Sequence, residues 1–420
     1  MNPPPVRIAI IGMGGYAGAH HRALITLETK GESRLVCTCD PQAGFFAAQQ
    51  TEWEFAKRGV RVFSDYREML SACTGELDMV VIPTPISLHA EMHRACVERG
   101  LAVYLEKPPT LDPEELERMI ATDDDAPRPT LVGFNFIIEP FRLALKQRIL
   151  AGEFGALREA RLLALWPRSD HYFQRNGWAG RLLTPDGRLI LDSCCGNAMA
   201  HFVHNTLFWA GGPALAQWAS LQHVKAELYR AHPIEGADTF IMQAVTENGA
   251  TLRLALTHAC HGNSCQTETV VCENATLTYE VGSHTEIAWP DGHRERLPLP
   301  PFDPVIENHR AYYRCLRRQV ERPATRLIDS RPFVHLNALA YLSSGEITTF
   351  PAERISSRND NQKRNLYQHV DGLAEALDAF VAHGTWPGEA LGWRTQPARL
   401  ATTAELPRLH GLIDKLAGRT

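Results

Sequence analysis

The chain has 420 residues, of which 44% are apolar and 22% are charged, and its formal net charge at pH 7 is −5. This length predicts more than one domain, and the composition is typical of globular proteins. Acidic and basic residues are interspersed without a basic tract, which argues against nucleic acids and anionic membrane surfaces as partners. No apolar run reaches the roughly 18 residues that a membrane-spanning helix requires.

The N-terminus and the cysteines indicate where the protein works. The chain begins "MNPPPVRIAIIG", which lacks the long apolar stretch and cleavage site of a signal peptide. Ten cysteines are present, but no CxxC pair occurs. We therefore expect reduced thiols and a cytoplasmic protein.

The first 135 residues alternate between short β-rich runs and helical patterns. The runs predicted as strands are 6–12, 34–40, 60–65, 77–85, 101–108 and 130–135. Such alternation predicts an α/β fold in which helices cover both faces of a parallel, doubly wound sheet. We assign residues 1–135 to this domain.

The pattern changes after residue 135 and predicts an α+β domain over residues 136–355. A long strand is expected over 156–166, and Asn248-Gly249 between alternating runs is a strong hairpin signal. These features predict a large, mainly antiparallel open sheet, closed by helices near 304–321 and 330–343. An exposed face of that sheet would favour a homodimer or homotetramer.

Residues 356–420 form a C-terminal extension in this interpretation. The polar run 356–365 is typical of a linker. The stretch that follows predicts one amphipathic helix packed on the body of the protein, because apolar residues recur every three or four positions at Leu366, Val370, Leu373, Leu377 and Phe380.

The strongest local motif is "GMGGYAGAHH", directly after the first strand. Gly12, Gly14 and Ala17 fit the GxGxxA pattern, in which glycines permit a tight turn and close approach of a pyrophosphate. The N–H groups of the following helix would bind the phosphates. The motif predicts a dinucleotide site that includes Gly15 and Tyr16, with a purely structural glycine turn as the alternative.

Asp40, at the end of the second strand, bears on the choice of cofactor. A carboxylate there could accept hydrogen bonds from the adenosine ribose and would repel the 2′-phosphate of NADP. No arginine follows in "DPQAG". The sequence therefore favours NAD over NADP, although Asp40 could instead only cap a turn.

Lys107 lies in "EKP", which ends the fifth predicted strand, as "PTP" ends the fourth. Ligands of doubly wound sheets bind at the carboxyl ends of the strands, so we expect Lys107 near the nicotinamide. There it could hydrogen-bond a substrate hydroxyl and stabilise the negative charge left when the proton departs. A solvated surface lysine is the alternative.

The stretch "CCGNAMAHFVHN" spaces Cys194, Asn197, His201 and His204 by three, four and three residues. On one helix these side chains would share a face. A single metal ion is not expected, since the ends would lie about 15 Å apart along the axis whereas zinc ligands lie about 2 Å from the ion. Two interpretations of this stretch remain: a hydride-transfer site, or a polar face whose hydrogen bonds are made with the neighbouring domain.

The segment 166–181 is rich in aromatic and cationic residues. Such side chains suit a polyhydroxylated substrate, because rings stack on its C–H faces while polar groups bind its hydroxyls. Packing at an interface is the alternative. The candidate substrate-binding residues are Arg168, Tyr172, Arg175 and Trp178.

The ordered motifs resemble the glucose–fructose oxidoreductase/inositol dehydrogenase (Gfo/Idh/MocA) family over about residues 6–350. The resemblance is carried by "GMGGYAGAHH", "VVIPTPISLHAEM", "LEKP", "VGFN", "HFVHNTLFWAGG" and the run from "NHRAYY" to "YLSSG". It implies a Rossmann domain followed by an open-sheet domain. Further cofactor contacts are predicted at Pro83, Thr84, Pro85, His89, Glu106, Lys107 and Asn135.

The resemblance also implies catalytic residues, with departures. Lys107 and His201 match the family's lysine and histidine, but the usual aspartates four residues before and three after that histidine are Asn197 and His204. Asparagine can hydrogen-bond but cannot take up a proton in this role. Proton removal is therefore assigned to His201, with Lys107 polarising the substrate oxygen and Asn197 and His204 positioning the substrate.

The sequence thus predicts an NAD(H)-dependent oxidoreductase that moves a hydride between nicotinamide and a secondary hydroxyl or carbonyl. The expected substrate is a sugar, sugar acid or cyclitol. One alternative is a glycosidase that uses bound NAD for a transient oxidation, and another is a non-catalytic sensor of nucleotide and sugar.

Overall fold

The computed structural model describes residues 3–360, 365–394 and 397–419. The chain forms two compact units. The first comprises the residues up to Thr110 together with 114–139 and 302–330, and the second comprises 111–113, 140–301 and the residues from Arg331 onward.

The first unit contains a six-stranded parallel sheet in the order β3-β2-β1-β4-β5-β6. Its strands are β1 (Val6–Ile11), β2 (Ser33–Cys39), β3 (Arg61–Phe63), β4 (Met79–Ile82), β5 (Ala102–Leu105) and β6 (Leu131–Val132). β4 and β5 are buried along their whole length, as expected where helices cover both faces of a parallel sheet. The predicted doubly wound sheet is confirmed.

Fourteen α-helices lie in the described part of the chain. They are α1 (Ala17–Thr29), α2 (Ala47–Glu52), α3 (Phe55–Arg58), α4 (Tyr66–Cys73), α5 (His89–Val97), α6 (Pro113–Asp124), α7 (Pro140–Leu150), α8 (Asp170–Gln174), α9 (Ala200–Ala210), α10 (Pro304–Leu316), α11 (Arg331–Ser344), α12 (Leu373–His383), α13 (Pro387–Ala390) and α14 (Leu409–Leu416). Within residues 3–360, 365–394 and 397–419, every helix is too short or too polar to cross a bilayer.

Helix α10 belongs to the first unit, and the expectation that it closes the second domain is wrong. Tyr312 and Tyr313 of α10 pack in the core of the first unit with apolar residues of α1 and β1. The Tyr312 hydroxyl donates to the carbonyl of Pro129 at 2.8 Å, and Arg310 pairs with Glu32 at 2.8 Å. Periodicity identified the helix but could not show which core its buried face joins.

The second unit is built on a nine-stranded mixed sheet in the order β14-β13-β12-β11-β7-β10-β9-β8-β15. Only the pairs β7–β10 and β8–β15 are parallel. The strands are β7 (Leu157–Leu165), β8 (Leu221–Arg230), β9 (Thr239–Thr246), β10 (Thr251–Thr257), β11 (Cys265–Cys272), β12 (Thr276–Glu280), β13 (His284–Ala288), β14 (Arg294–Pro298) and β15 (Thr348–Thr349). The predicted large, mainly antiparallel sheet is confirmed. Gly249 adopts φ +84° in the hairpin between β9 and β10, as its Asn-Gly signal predicts.

The C-terminal extension lies in the second unit and differs from its prediction. β16 (Ile355–Asp360) and β17 (Asn365–Val370) pair as an antiparallel hairpin, so the expected linker is a strand except at 361–364, which lie outside the described residues. The expected long helix begins only at Leu373, because Gly372 with φ +79° separates it from the strand. The apolar spacing before Gly372 is compatible with a helix or a strand, and these residues form a strand because they pair with β16.

Helix α12 covers part of the large sheet. Leu373, Leu377 and Phe380 pack in one apolar cluster with Tyr229 of β8, Ile241 of β9 and Ala255 of β10. The extension of the same chain therefore covers this face of these strands, so an exposed face here does not support oligomer formation. The prediction of a homodimer or homotetramer therefore stays a prediction without that argument.

Leu377 tests how strongly the extension is bound to the sheet. Its side chain is fully buried, so Leu377→Ala should destabilise the second unit by about 2–5 kcal/mol through lost contacts and a cavity. Urea unfolding followed by tryptophan fluorescence would measure this. Asp378→Ala, at the exposed position next to it on α12, is the matched control and should stay within about 0.5 kcal/mol of the wild type. Equal stability of the two variants would show that the extension does not pack on this face.

Candidate functional site

The glycine loop connects β1 to α1 at the carboxyl end of β1. Gly12 adopts φ +116°, and its N–H donates to the carbonyl of Cys39 at 2.7 Å, which ties the loop to β2. A Cβ added to Gly14 would lie 3.0 Å from the ring of Phe46, whereas one added to Gly15 would meet nothing within 4 Å. The loop is thus closely packed on one side and open at Gly15, as a phosphate-binding turn requires.

Asp40 connects the glycine loop to the end of β2. One carboxylate oxygen accepts from the N–H of Met13 at 3.0 Å, and the other accepts from the N–H of Gln42 at 2.9 Å. Asp40 therefore holds the loop in place. It also has the turn-capping role that the sequence analysis gave as the alternative to ribose binding. Each carboxylate oxygen can accept a second hydrogen bond, so these contacts are compatible with ribose binding.

The ends of β4 and β5 are joined by His89. Its two ring nitrogens lie 2.9 Å from the carbonyl oxygens of Thr84 and Pro108, and burial lowers the pKa of this histidine. Pro83, Thr84 and Pro85 follow β4 directly. The contacts of His89 are therefore with the protein backbone, and they fix the segment that carries Lys107.

Glu106 precedes Lys107 and is buried. One of its carboxylate oxygens lies 3.1 Å from Nε2 of His20, and the other accepts from the N–H of Lys107 at 3.1 Å. Nδ1 of His20 lies 3.0 Å from Nε2 of His309 on α10. Glu106 thus fixes the Lys107 backbone from below, and the Lys107 side chain is partly exposed.

Asn135, just after β6, belongs to a polar cluster in the same unit. Its Oδ1 accepts from the Tyr104 hydroxyl at 2.8 Å and from Nδ2 of Asn308 at 2.6 Å, and its Nδ2 donates to the Tyr16 hydroxyl at 3.4 Å. The first unit therefore brings the predicted cofactor residues to one edge of its sheet, where they follow the carboxyl ends of β1, β2, β4, β5 and β6. The open glycine loop, the Asp40 carboxylate and this edge fit a dinucleotide.

In the second unit, the predicted one-faced helix is interrupted. Residues Cys194–Ala198 form a π-helical turn, in which the N–H of Gly196 donates to the Ser193 hydroxyl at 2.9 Å, and α9 begins at Ala200 after Met199 with φ −109°. Cys194 is fully buried, and desolvation raises the pKa of its thiol. The expectation that four polar side chains share the face of a single helix is wrong. A π-turn at this point is a backbone feature that the i, i+3 and i, i+4 spacing does not reveal.

Asn197 hydrogen-bonds a carboxylate that the sequence analysis did not single out. Its Nδ2 donates to Oδ1 of Asp192 at 2.7 Å, and Oδ2 of Asp192 accepts from the N–H of Gly180 at 2.7 Å. Asp192 is only 2% exposed. The signal was an acidic residue at the end of an apolar run directly before the "SCCGN" turn.

The two histidines of α9 have different surroundings. His201 is partly exposed, whereas His204 is fully buried and its Nδ1 accepts from Nε1 of Trp218 at 3.2 Å. The burial and the Trp218 contact of His204 favour a packing role over the predicted contact with substrate. Among the described residues, no group of three His, Cys, Asp or Glu side chains is arranged to hold a metal ion.

A buried ion pair fixes α9 on the sheet. Glu268 of β11 pairs with Arg142 of α7 at 2.5 Å and also accepts from Asn205 at 2.8 Å and from Nε1 of Trp209 at 2.5 Å. Arg142 and Glu268 are both almost fully buried, so removing either partner would leave an uncompensated charge. The position of His201 therefore depends on this pair.

The predicted substrate-binding residues of segment 166–181 stack on one another. The Arg168 guanidinium lies 4.8 Å from the centre of the Tyr172 ring, and that of Arg175 lies 3.7 Å from Tyr172 and 5.1 Å from Trp178. The C-terminal extension contacts the same segment, since Nε2 of Gln368 donates to Asp170 at 3.1 Å. Arg175 is exposed and Arg168, Tyr172 and Trp178 are partly exposed, which leaves them accessible to a ligand.

Two buried histidines support this segment from below. Nδ1 of His232 donates to Asp238 at 2.7 Å and its Nε2 donates to the carbonyl of Arg168 at 3.0 Å. Burial alone would lower the pKa of His232, but the hydrogen bond and charge of Asp238 raise it. His258 bonds the carbonyl of Trp166 at 2.7 Å, and burial lowers its pKa to about 3, so this histidine is neutral and supports the backbone.

Comparison with known proteins agrees with the fold. Residues 6–134 match the model of an oxidoreductase family with an NAD-binding Rossmann fold, and residues 143–278 match the GFO/IDH/MocA C-terminal domain. The chain belongs to the Gfo/Idh/MocA oxidoreductase family. Its first unit is the family's NAD-binding Rossmann domain.

Individual members of the family give narrower comparisons. The chain is 33% identical over 150 residues to scyllo-inositol 2-dehydrogenase (NAD(+)) of Bacillus subtilis, a match that covers 36% of this chain and 42% of that protein. Matches to curated relatives span about half of their length.

Solved structures share the fold over most of the chain. The WlbA dehydrogenase of Bordetella pertussis, in complex with NADH and UDP-GlcNAcA, superposes with a TM-score of 0.65 at 22% identity, covering 81% of this chain and 96% of that one. Levoglucosan dehydrogenase, in complex with NADH, superposes with a TM-score of 0.66 at 16% identity, and the match covers 81% of this chain and 97% of that one.

Asp40 provides a test of cofactor preference. Asp40→Asn removes the charge that would repel a 2′-phosphate and weakens one backbone contact of the glycine loop, so NADH should bind more weakly while NADPH gains relative to it. We expect the ratio of the two dissociation constants to change by about tenfold, or roughly 1.4 kcal/mol. Fluorescence titration would measure both constants. Asp78→Asn, before β4 at the opposite edge of the sheet, is the control, and an unchanged ratio in Asp40→Asn would contradict the assignment.

The His232–Asp238 pair predicts a pH dependence of stability. The raised pKa of His232 means that its contribution is complete below about pH 6.5, its unfolded value, and is lost as pH rises through the folded value. The lowered pKa of Asp238 means that its contribution is present above about pH 3.9 and is lost in acid. Asp238→Asn should lower the stability of the second unit by about 3–5 kcal/mol and remove the decline above pH 6.5 that this pair causes.

Thermal unfolding midpoints measured from pH 5 to pH 9 would check this dependence. Glu375→Gln, at an exposed position of α12, is the charge-matched control and should leave the profile unchanged. A profile that Asp238→Asn does not alter would show that His232 is neutral in the folded protein.

Proposed function

We propose that this protein is an NAD(H)-dependent dehydrogenase or reductase that acts on a secondary alcohol or carbonyl of a sugar, sugar acid or cyclitol. The observation that carries the proposal lies in the first unit. There the glycine loop, the Asp40 carboxylate, Lys107 and Asn135 follow different strands and are all at the carboxyl edge of one parallel sheet. Family membership supplies the class of reaction.

The division of labour follows from the chemistry of the side chains. The glycine loop and Asp40 would hold NAD, which would supply the hydride acceptor or donor. In the oxidation direction, the ammonium group of Lys107 hydrogen-bonds the substrate oxygen and stabilises its developing negative charge, while an imidazole nitrogen of His201 takes the hydroxyl proton. Asn197 orients a substrate hydroxyl by hydrogen bonding.

The substrate class is supported by segment 166–181 and by the relatives. Partly exposed rings of Tyr172 and Trp178, each beside an arginine, suit the alternating C–H and hydroxyl faces of a sugar ring. Curated relatives are named for inositols and for a D-glucoside, and solved neighbours for a nucleotide sugar and for levoglucosan. We therefore extend a carbohydrate or cyclitol substrate to this chain as part of the proposal.

A panel of sugars, sugar acids and cyclitols, followed at the NADH absorbance in both directions, tests the proposal. Turnover that depends on one of these compounds is the expected result. Release of a free sugar without net NADH would identify a glycosidase instead. Binding of a sugar with no turnover of any compound would identify a sensor.

Lys107 provides the decisive variant. Lys107→Ala should bind NADH within about threefold of the wild type yet lose about 10²–10⁴-fold in kcat, because it removes the donor to the substrate oxygen. Fluorescence titration and steady-state kinetics would measure the two effects separately. Lys57→Ala removes a lysine that is exposed in the same unit and should keep full activity. Full activity of Lys107→Ala would remove Lys107 from the mechanism.

A further inference from the structure

We propose that Asp192 is a positioning residue that supplies the substrate site with the negative charge that Asn197 lacks. The inference rests on the proposed function and deepens it. It concerns only the second unit, where Asp192, Asn197 and segment 166–181 are connected by direct contacts.

The contacts of Asp192 determine how Asn197 is oriented. An ionised carboxylate can only accept hydrogen bonds, so the group 2.7 Å from Oδ1 of Asp192 must be the NH₂ of Asn197. The opposite amide orientation would bring two oxygens together. The Asn197 side chain therefore donates to Asp192 through Nδ2 and accepts hydrogen bonds through its carbonyl Oδ1.

A second hydrogen bond makes the carboxylate rigid. Oδ2 of Asp192 accepts from the N–H of Gly180 at 2.7 Å, and the residue is 2% exposed. The carboxylate therefore cannot turn away from Asn197 without losing a buried partner. Its charge also polarises the Asn197 amide, which strengthens Oδ1 as an acceptor for a substrate hydroxyl.

The same carboxylate reaches the segment predicted to bind the sugar. Gly180 lies near the end of segment 166–181. Burial, followed by the charge of Asp192, raises the pKa of Tyr172, whose hydroxyl is protonated at neutral pH even without this shift and can donate. Asp192 thus orients the acceptor at Asn197 and holds the segment that carries the Tyr172 donor, and a diol of a sugar or cyclitol would need such a pair.

The arrangement explains why an aspartate at 197 would be unfavourable in this chain. Two carboxylates at hydrogen-bond distance cannot both ionise, so they would share a proton. With asparagine at 197, the single negative charge remains buried on Asp192, and it acts on the substrate by polarising the Asn197 amide. The inference therefore predicts that positions 192 and 197 work as one unit, in which exactly one side chain is charged.

A charge exchange between the two positions is the test. Asp192→Asn should lower kcat/KM at least tenfold and move the acid limb of its pH profile to lower pH, because loss of a negative charge makes proton release from the base easier. Asn197→Asp should also lower activity, with little shift of the acid limb, because the shared proton leaves the pair with one negative charge but removes the amide. The double variant D192N/N197D restores one charge beside one amide and should recover most of the activity and the wild-type profile.

The controls separate positioning from stability. Asp186→Asn removes a fully exposed carboxylate of the same region and should change neither the activity nor the profile. A purely structural Asp192 would lower the unfolding midpoint in D192N while leaving the pH profile unchanged, and N197D would not rescue it. That result, or full activity of D192N, overturns the inference while the wild type remains an active dehydrogenase. A wild type that neither binds nor turns over any compound of the panel overturns the proposed function itself.

Discussion

The second unit is organised by a single physical constraint: a carboxylate that is buried must be satisfied by charged or N–H partners. Glu268 meets this requirement with Arg142, Asn205 and Trp209, which fixes α9 and hence His201. Asp238 meets it with His232, whose other ring nitrogen supports the backbone of segment 166–181. Each of these acids lies in the core, and each determines where a residue at the candidate site can be.

In the first unit the governing constraint is topological. Parallel strands end at a common edge, so residues far apart in sequence come together there. Buried or partly buried acids then refine this edge: Asp40 holds the glycine loop, and Glu106 holds the backbone of Lys107. The two units therefore reach functional geometry by different means, one mainly through the order of its strands and the other through its polar core.

This difference explains which features the sequence could predict. Strand alternation and the Asn248-Gly249 hairpin are local patterns, and the sheets they imply are present. The partners of Glu268 and the unit to which α10 belongs depend on contacts between residues many tens of positions apart. The β16–β17 hairpin joins neighbouring segments, but the apolar spacing before Gly372 does not distinguish a strand from a helix. The π-helical turn at 194–198 breaks the regular spacing on which the helix prediction rested. Asp192 was missed because its partner is set by that turn.

The relocation of charge from 197 to 192 has a chemical consequence under the proposed function. A carboxylate at 197 could itself take a proton from the substrate, whereas an amide cannot. Asp192 is buried and already accepts two N–H bonds, so it does not exchange protons with the substrate. Its negative charge can still stabilise the positive charge that the base gains when it takes the proton. Electrostatic stabilisation and proton transfer are thereby assigned to different residues. His201 is left as the base, and its protonation state alone should set the acid limb of the rate profile.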